Sequence, residues 1–485
     1  MWEWKEPGRR TVGRETILAS DLGRGSVMEW KIKLEARNGR GEVTTHEIVV
    51  LHRDPGDLTS SSVGLSLAEA KVLLAELQQR IVQTQIAEYI VCARVCIDCM
   101  KLRRLRDQRT RTLQTLFGSV RVAAPRVRLC SCLETLGMGD PSFSPLSGVL
   151  PDRFSAELRR LHADLGARHS FREAARLLKT FVPCSPPNHV SVRNRLHRVA
   201  SAIEEGEAAP TLVSTDPDQR SEDAEIVVLI DGAHIRAVPS HQSRRLDVTV
   251  GKVETAGRPP RRFALAPMGA EQPAQAVRAA LIEQGWRLGR PVTVISDGEP
   301  ALPNLVCAAT GGPVSHVLDW WHISMRVRHI EQALAGIYTL RPTYQAGLDY
   351  VSTDVERLRN LIWNGYGAEA GQALSALTHL ASEAIYLNGE HIGPAVRSFL
   401  LHCQALRAYL TYNERALIDY GARYRAGRPI SSSRAEGMVD EIANTRMAKG
   451  QRMRWSPRGA HRVATVRAAA LNGRLEGWVP TPLAA

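Results

Sequence analysis

The sequence predicts a multidomain α+β protein, and three observations support this fold class. The chain of 485 residues is too long for one ordinary hydrophobic core, so about three or four domains are expected. Five cysteines fall between Cys92 and Cys132, next to a segment with a strand-and-helix pattern. From about 225 to 300, short apolar runs indicate strands around one helix, and the pattern after 319 is helical.

The chain is basic, with a formal net charge of +13 and more arginine than lysine in the excess. Guanidinium groups pair bidentately with phosphate, which favours nucleic acid as a partner. The alternative is that a basic balance only keeps the protein soluble.

Membrane insertion is not expected from the sequence. No stretch approaches the roughly 20 apolar residues that cross a bilayer, and the first residues lack the apolar core of a signal peptide. The sequence therefore predicts a cytoplasmic protein with no membrane partner, associated with the nucleoid if it binds DNA.

Residues 28–91 are predicted to form a β-hairpin and an amphipathic helix. From Met28 the residues alternate like two strands around a Gly-containing turn, and 66–90 show apolar spacings of three and four. The first 27 residues match no clear element, so the true start is either Met1 or Met28.

Residues 92–135 are predicted to form a zinc ribbon. Two thiol pairs are separated by a basic stretch and a strand-like run, and four thiolates give a closed tetrahedral Zn²⁺ site. Each pair alone is a weak signal, because a CxxC also occurs by chance or in redox chemistry. The predicted ligands are Cys96, Cys99, Cys130 and Cys132, with Cys92 as an alternative for one of them.

Residues 145–205 are predicted to be a helical DNA-binding region. Two short helices flank a Pro-rich turn, an arrangement that can be a helix-turn-helix with Arg193, Arg195 and Arg198 facing DNA. Any helical domain contains such pairs, so a purely structural role is the alternative.

Two apolar runs in the segment 224–320 each end in Asp-Gly. EIVVLID ends at Asp231 and VTVISD ends at Asp297. If the two strands are neighbours, both carboxylates lie at one edge of an α/β sheet, where such folds place ligand sites. The alternative is that each Asp-Gly is an ordinary turn.

Glu436 is the best candidate for a third carboxylate, in competition with Asp440 and Glu441. On a helical wheel Glu436 falls inside the buried arc, Asp440 at its edge and Glu441 on the far side. A carboxylate that faces the core is costly unless it meets cations or donors. The alternative is a capping box between Ser433 and Glu436.

Three converging carboxylates suit phosphodiester chemistry. Two divalent ions, about 3.5 to 4 Å apart, activate the attacking oxygen and stabilise the leaving one. Hard cations take oxygen ligands, so the predicted cofactor is a pair of Mg²⁺ or Mn²⁺ ions held by Asp231, Asp297 and Glu436.

The motif DWWH places Asp319 and His322 three residues apart, near Asp297 if the chain turns back over the sheet. They could orient the scissile phosphate or the attacking water, and Trp320 and Trp321 could stack on an unpaired base. The alternative is that the histidine and both tryptophans are core residues.

A basic segment after Glu436 is predicted to clamp the DNA backbone. The alternative is a solvated helix face. The residues expected to contact DNA there are Arg446, Arg452, Arg454, Trp455 and Arg458.

Together these residues resemble the insertion-sequence transposases of the Kra type, distant relatives of the Mutator-like superfamily. The resemblance covers most of the chain from about Met28 onward. It rests on GLSLAEAK, TLFGSVRVAAPRVRLCSC, VVLIDGAHIRA, VISDGEPAL with LDWWHISMRV, and AEGMVDEIANTRMAKGQRMRWSPRGAHRVATVRAAALNG. Within the last stretch RMRWSPRGA is the most specific, because it has no generic structural explanation.

The resemblance implies a DDE transposase with an RNase H-like core, whose acidic residues match Asp231, Asp297 and Glu436. The motif DWWH matches an Asp/Cys-x-x-His motif of the superfamily, which gives Asp319 and His322 an auxiliary role. The implied segments are the first part of the core at 224–320, an all-helical insertion at 321–428, and a C-terminal helix with the glutamate and the basic residues at 429–475. Glu436-Gly437 departs from the more usual Glu-Ser pairing.

The expected activity is metal-dependent cleavage at transposon ends and strand transfer into target DNA. The expected partners are terminal inverted repeats and target DNA, bound by a homo-oligomer. Two alternatives stay open: a structure-selective nuclease on the same fold, and a non-catalytic DNA-binding regulator such as a domesticated transposase.

Overall fold

The computed structural model describes residues 27–39, 41–60, 62–130, 132, 142–184, 186–208, 224–266, 271–340, 345–388, 394–432, 437–447 and 453–475. The chain divides into two compact units. One contains the described residues up to Leu158 together with Leu177–Pro186, and the other contains Arg159–Arg176 and the described residues from Pro187 onward. Both units combine helices and strands, so the multidomain α+β prediction is confirmed at that level.

The first unit begins with the predicted hairpin and helix. Strands β1 (Met28–Arg37) and β2 (Val43–Arg53) pair antiparallel, and a short 3-10 turn (Pro55–Asp57) follows. Helix α1 (Leu67–Ala93) starts at a capping box, in which Ser66 and Glu69 satisfy each other's backbone N–H. The predicted hairpin and helix are both present, although only Val82 and Ile90 of α1 are buried, so the predicted amphipathic character is weak.

Short strands build the cysteine-rich region between α1 and residue 143. Two of them form a hairpin, and the other three form a separate small sheet in the order β3-β6-β7. The strands are β3 (Leu105–Asp107), β4 (Thr110–Thr115), β5 (Gly118–Ala123), β6 (Arg126–Arg128) and β7 (Ser142–Phe143).

The region from 145 to 208 is helical, as predicted. Buried residues at every third or fourth position give its helices one core-facing side. The helices are α2 (Leu146–Val149), α3 (Ala156–Arg168), α4 (Phe171–Phe181) and α5 (His189–Ala208).

A mixed five-stranded sheet forms the centre of the second unit, in the order β10-β9-β8-β11-β12. Strand β9 is antiparallel to both of its neighbours, whereas β8, β11 and β12 are parallel. The strands are β8 (Ile226–Arg236), β9 (Arg245–Thr255), β10 (Arg261–Leu265), β11 (Val292–Ser296) and β12 (Ser315–Leu318). Helices α6 (Glu271–Glu283) and α7 (Ala301–Thr310) connect them.

The prediction that β8 ends at Asp231 is wrong. This strand continues to Arg236, because β9 pairs with it over its whole length. The other neighbour, β11, stops at Ser296 and pairs only with the first half of β8. The second half of β8 therefore pairs with β9 and not with β11.

Both faces of the sheet are buried. In β8, Val227 and Leu229 belong to one apolar cluster and Ile226 and Val228 to a second, as alternation along a strand requires. The second cluster includes residues of α6 and α7, and the first includes residues of the helices that follow β12.

The chain after β12 is helical, as predicted. It comprises α8 (Trp320–Leu340), α9 (Gln345–Trp363), α10 (Gly367–Asn388), α11 (Pro394–Tyr412), a 3-10 turn (Glu414–Ala416), α12 (Tyr420–Arg425), a π-helical segment (Val439–Asn444), α13 (Thr445–Met447) and α14 (Pro457–Leu471). No helix in the described part of the chain is long and apolar enough to cross a membrane.

Candidate active site and metal centre

Three aspartates lie at one level across the three parallel strands. Ile295 pairs with Leu229, so two residues further along Asp297 comes level with Asp231. Ser296 pairs with Leu318, so Asp297 also comes level with Asp319. Neighbouring strands are about 4.8 Å apart. The two Asp-Gly sequences therefore lie side by side at the carboxyl end of β11. Asp297 is just past the end of β11, and Asp231 is in the middle of the longer strand β8.

Asp231 is half-buried on the face of β8 that also carries Ala233 and Ile235. Its Oδ1 accepts a hydrogen bond from the backbone N–H of Gly232 at 2.7 Å. Burial raises the pKa of this carboxyl, and the negative charge of Asp297 raises it further, against the opposing effect of the Gly232 hydrogen bond. The fold thus makes the ionised form of the Asp231 carboxyl less favourable than it is in water.

A tight turn presents Asp297. Its Oδ1 accepts a hydrogen bond from the Glu299 backbone N–H at 3.1 Å, and its carbonyl oxygen accepts one from the Tyr409 hydroxyl at 2.8 Å. Gly298 has φ of 89°, and a Cβ there would lie 2.6 Å from the side-chain oxygen of Asn413. The turn therefore requires glycine for its conformation and for the close approach of Asn413, the residue after α11.

Asp319 is fully buried and occupied by protein donors, with 0% of its surface exposed. One carboxylate oxygen accepts hydrogen bonds from the backbone N–H groups of Trp321 at 2.9 Å and Ser432 at 3.1 Å. The other accepts one from the Ser432 hydroxyl. Asp319 therefore connects the start of α8 to Ser432. Because its carboxylate is buried and bonded to protein donors, it is not exposed to contact a substrate.

His322 lies one helical turn after Asp319, and its Nε2 is 3.7 Å from the nearer Asp319 oxygen. Its ring packs edge-on against Trp321, with 5.0 Å between the centroids. Trp320 has its ring 4.8 Å from that of Trp363 and 5.0 Å from that of Tyr420. Trp320 is thus a packing residue rather than a free platform for a base.

Glu436 lies outside the described residues, which stop at Ser432 and resume at Gly437. Of the five apolar residues that placed it on the buried arc, Met438, Ile442, Ala443 and Met447 are buried and Val439 is half-buried. Glu441 is exposed, as the helical wheel predicts, and Asp440, which the wheel put at the edge of the buried arc, is exposed as well. Val439–Asn444 is π-helical rather than α-helical.

Asp231 and Asp297 fit a divalent cation, because a positive charge between them would relieve the repulsion and the cost of burial that raise the pKa of Asp231. Carboxylate oxygens are also the donors that Mg²⁺ and Mn²⁺ prefer. Within the described residues, no third metal-binding side chain completes a close group with this pair. The Glu299 carboxylate is near, 4.0 Å from where a Cβ on Gly232 would lie.

The four predicted zinc ligands converge. Their sulfur atoms all lie within 4.8 Å of one another, with 3.6 Å between Cys96 and Cys132 and 3.2 Å between Cys99 and Cys130. Zn–S bonds of about 2.3 Å in a tetrahedron imply sulfur separations of about 3.8 Å. A disulfide would bring two sulfurs to about 2 Å, so the cluster fits a tetrahedral metal site.

Backbone hydrogen bonds in this cluster favour the thiolate form, which binds a cation. The backbone N–H groups of Cys99 and Asp98 donate to the Cys96 sulfur and lower the pKa of this thiol to about 6. The turn that carries Cys96 and Cys99 ends at Met100, which has φ of 58°. The Met100 N–H donates to the Cys96 carbonyl at 2.9 Å. Cys92 is exposed on α1 and is not part of the cluster.

The residues predicted to bind DNA fall into four groups by exposure. Arg193, Arg198, Arg454 and Arg458 are exposed, Arg195 is half-buried, and Arg452 lies outside the described residues. Arg446 and Trp455 are buried, with 1% and 6% of their surface exposed.

The burial of Arg446 contradicts its predicted contact with DNA. Its guanidinium lies 5.0 Å from the ring centroids of both Phe171 and Trp455, and its Nε donates to the Gly166 carbonyl at 3.2 Å. Burial lowers the pKa of Arg446 to about 10. Trp455 in turn extends the sheet, since its N–H donates to the Arg236 carbonyl at 2.9 Å. Both side chains are therefore internal supports.

Sequence reasoning missed four residues around the carboxylates. Tyr409, Asn413 and Ser432 carry no motif, and they reach the site only through the fold of distant helices. Glu299 did have a local signal, because it follows Asp297-Gly298 directly.

Comparisons with known proteins reveal a distant structural similarity. No protein-family model matches the chain. No curated protein matches it. Among solved structures, the chain is similar to the Drosophila P element transposase in a strand transfer complex, with 12% identity and a TM-score of 0.31, over 67% of this chain and 93% of that chain. A similarity at this level does not establish a shared fold, so the function of the chain has to be inferred from the residues of the site.

Proposed function

We propose that this chain is a DDE-type DNA transposase. The observation that carries the proposal is the pair Asp231, within β8, and Asp297, just past the end of the adjacent parallel strand β11. They are close enough for the charge of Asp297 to raise the pKa of Asp231. Paired carboxylates at the carboxyl edge of a sheet are what a metal-dependent phosphoryl-transfer site requires. The mixed sheet, antiparallel on one side of β8 and parallel on the other, supports an RNase H-like core.

Glu436 is proposed as the third ligand. Ser432, four residues before it, is bound by Asp319, which is level with the two catalytic candidates. Met438, two residues after it, is buried in the cluster that covers the Asp231 face of the sheet. The described residues on either side of Glu436 are thus held by the fold, Ser432 through Asp319 and Met438 in this cluster.

The proposed chemistry has two steps at one site. Water first attacks the phosphorus at the transposon end, the P–O3′ bond breaks, and a 3′-hydroxyl is released. That hydroxyl then attacks a phosphorus of the target strand, forming a new P–O3′ bond while the target 3′-oxygen leaves with a proton. Divalent cations would lower the pKa of the attacking group and stabilise charge on the leaving oxygen. The carboxylates would hold the cations, and the turn at Gly298 would fix the Asp297 carboxylate for that role.

DNA recognition is proposed for the basic regions of both units. The net charge of +13 favours a polyanionic partner. The four-cysteine cluster would hold a structural Zn²⁺. Terminal inverted repeats and target DNA are the proposed partners, with two ends joined by a homo-oligomer.

The experiment that tests this function uses supercoiled or duplex DNA that carries the sequences flanking the gene, in which the proposed function predicts terminal inverted repeats. Mg²⁺-dependent nicking at the repeat ends is expected for the wild type, and it should vanish in Asp231→Asn and Asp297→Asn while DNA binding persists. Cleavage of branched DNA without preference for the repeats would indicate a structure-selective nuclease. Binding with no cleavage under any metal condition would indicate a regulator.

A further inference from the structure

Four exposed arginines line an open cavity beside the connection from β8 to β9, at the C-terminal end of β8. The cavity has a volume of about 630 Å³. Its lining includes Arg236, Arg244, Arg245 and Arg454, together with His241. We call this cavity the arginine groove.

Two of these arginines oppose each other directly. Arg236 of β8 and Arg245 of β9 are cross-strand partners, and both are exposed on the same face. Like charges in that position repel and destabilise a β-ladder. An anion that binds between them would relieve this repulsion.

No acidic side chain in the described part of the chain forms an ion pair with Arg236, Arg245 or Arg454. The nearest acid on the same face of β9, Asp247, is paired with His234, with 2.6 Å between Oδ1 and Nδ1. The backbone hydrogen bonds of Trp455 with Arg236 and Val238 bring Arg454 to the groove. Three guanidinium groups are therefore available to one ligand.

We propose that the arginine groove binds the phosphodiester backbone of DNA, at a site separate from the acidic edge. Guanidinium forks suit phosphate oxygens, and an open groove admits a continuous strand rather than a single small anion. Arg236 is five residues beyond Asp231 on the same strand, which corresponds to about 17 Å. Because side chains alternate between the two faces of a strand, this odd offset puts Arg236 on the face of β8 opposite to Asp231. Binding at the groove is independent of the proposed cleavage.

The test is a salt titration of binding to a fluorescent duplex oligonucleotide in EDTA, so that no metal-dependent step contributes. The double variant Arg236→Gln/Arg245→Gln should weaken binding about tenfold. It should also make the negative slope of log K against log salt shallower by about 2. The matched control, Arg357→Gln/Arg359→Gln, removes two exposed charges from α9 and should change neither quantity by more than about a tenth of that effect.

Two further measurements separate binding from folding. The melting temperature of Arg236→Gln/Arg245→Gln should equal or exceed that of the wild type without DNA, because the opposed charges are gone. The variant Arg236→Lys/Arg245→Lys should keep the wild-type salt slope. Unchanged affinity and slope in the glutamine variant, or an equal loss in the α9 control, would overturn the proposal.

Failure of the groove and failure of the enzyme give different results. If the wild type binds DNA through the groove but never cleaves it, the proposed function fails and the groove stands. If cleavage depends on Asp297 while the glutamine variant binds normally, the groove fails and the proposed function stands.

Discussion

The buried carboxylate of Asp319 accepts hydrogen bonds from both the backbone N–H and the hydroxyl of Ser432, across 113 residues of chain. Trp320 adds a third connection, because its N–H donates to the Ile430 carbonyl at 3.1 Å. The acidic residue of the DWWH motif thus fixes the chain that leads into Glu436. We interpret Asp319 as a positioning residue rather than a metal ligand.

Replacing Asp319 should therefore affect stability and turnover together. In Asp319→Asn one buried donor loses its acceptor, so we expect the free energy of unfolding to fall by about 2 kcal/mol. A displaced Glu436 segment should lower the cleavage rate by roughly 100-fold, with unchanged DNA affinity. Urea unfolding and single-turnover nicking measure the two effects.

Ser432→Ala is the matched variant for this prediction. It removes the hydroxyl hydrogen bond but keeps the backbone one, so it should cause smaller losses of the same two quantities. If Asp319 were a ligand instead, Ser432→Ala would leave cleavage intact while Asp319→Asn would weaken metal binding.

Asp231→Asn should stabilise the metal-free protein. The raised pKa of Asp231 means that its ionised form is less favourable in the folded state than in the unfolded state. The penalty is present at neutral pH and disappears as the pH falls through the raised pKa towards the ordinary value of 3.8. We expect a gain of roughly 1 kcal/mol at neutral pH that vanishes in acid. Thermal melts in EDTA across this pH range provide the measurement, and a destabilised variant at neutral pH would contradict burial and charge repulsion as the cause.

The Asp297 turn should not tolerate a side chain at Gly298. Positive φ alone costs an alanine about 1 kcal/mol, and the contact with Asn413 adds strain. Gly257→Ala is the control, because Gly257 has φ of 80° and nothing within 4 Å of its Cβ position. Gly298→Ala should destabilise more than this control, and adding Asn413→Ala should recover the difference. Equal effects for the two glycines would show that the close approach carries no cost.

Removal of zinc should unfold the part of the cysteine-rich region around the four thiols. The β4–β5 hairpin packs apolar residues against α1, whereas the thiols are carried by turns next to the short strands β3 and β6, so metal binding there contributes folding energy. Cys96→Ser should lose bound zinc, measured by metal analysis, and gain protease sensitivity within 92–135. Cys92→Ser should retain one zinc per chain, and its loss of metal would restore Cys92 as a ligand.

Local sequence signals predicted much of the fold. The hairpin at Met28, helix α1, the two cysteine pairs and the strands that carry Asp231 and Asp297 all follow from patterns within about ten residues. The approach of the two aspartates also followed, because the carboxyl ends of neighbouring parallel strands share an edge.

Long-range pairing explains what the sequence did not predict. The extension of β8 to Arg236 depends on β9, and the four residues of β12 are too few to show a period. Arg446 counted as an outward charge, yet two aromatic rings and a backbone carbonyl enclose it. The Asp319–Ser432 contact joins residues from opposite ends of the helical stretch, which no single-sequence pattern reports.

The central claim is that Asp231, Asp297 and Glu436 hold divalent cations for phosphodiester cleavage. The most direct measurement is a calorimetric Mn²⁺ titration of the wild type, Asp297→Asn and Glu436→Gln, with Glu299→Gln and Glu441→Gln as controls. We predict binding to the wild type and both controls, and its loss in Asp297→Asn and Glu436→Gln together with the loss of nicking. Wild-type Mn²⁺ binding in Glu436→Gln, or its loss in Glu299→Gln instead, would contradict the assignment.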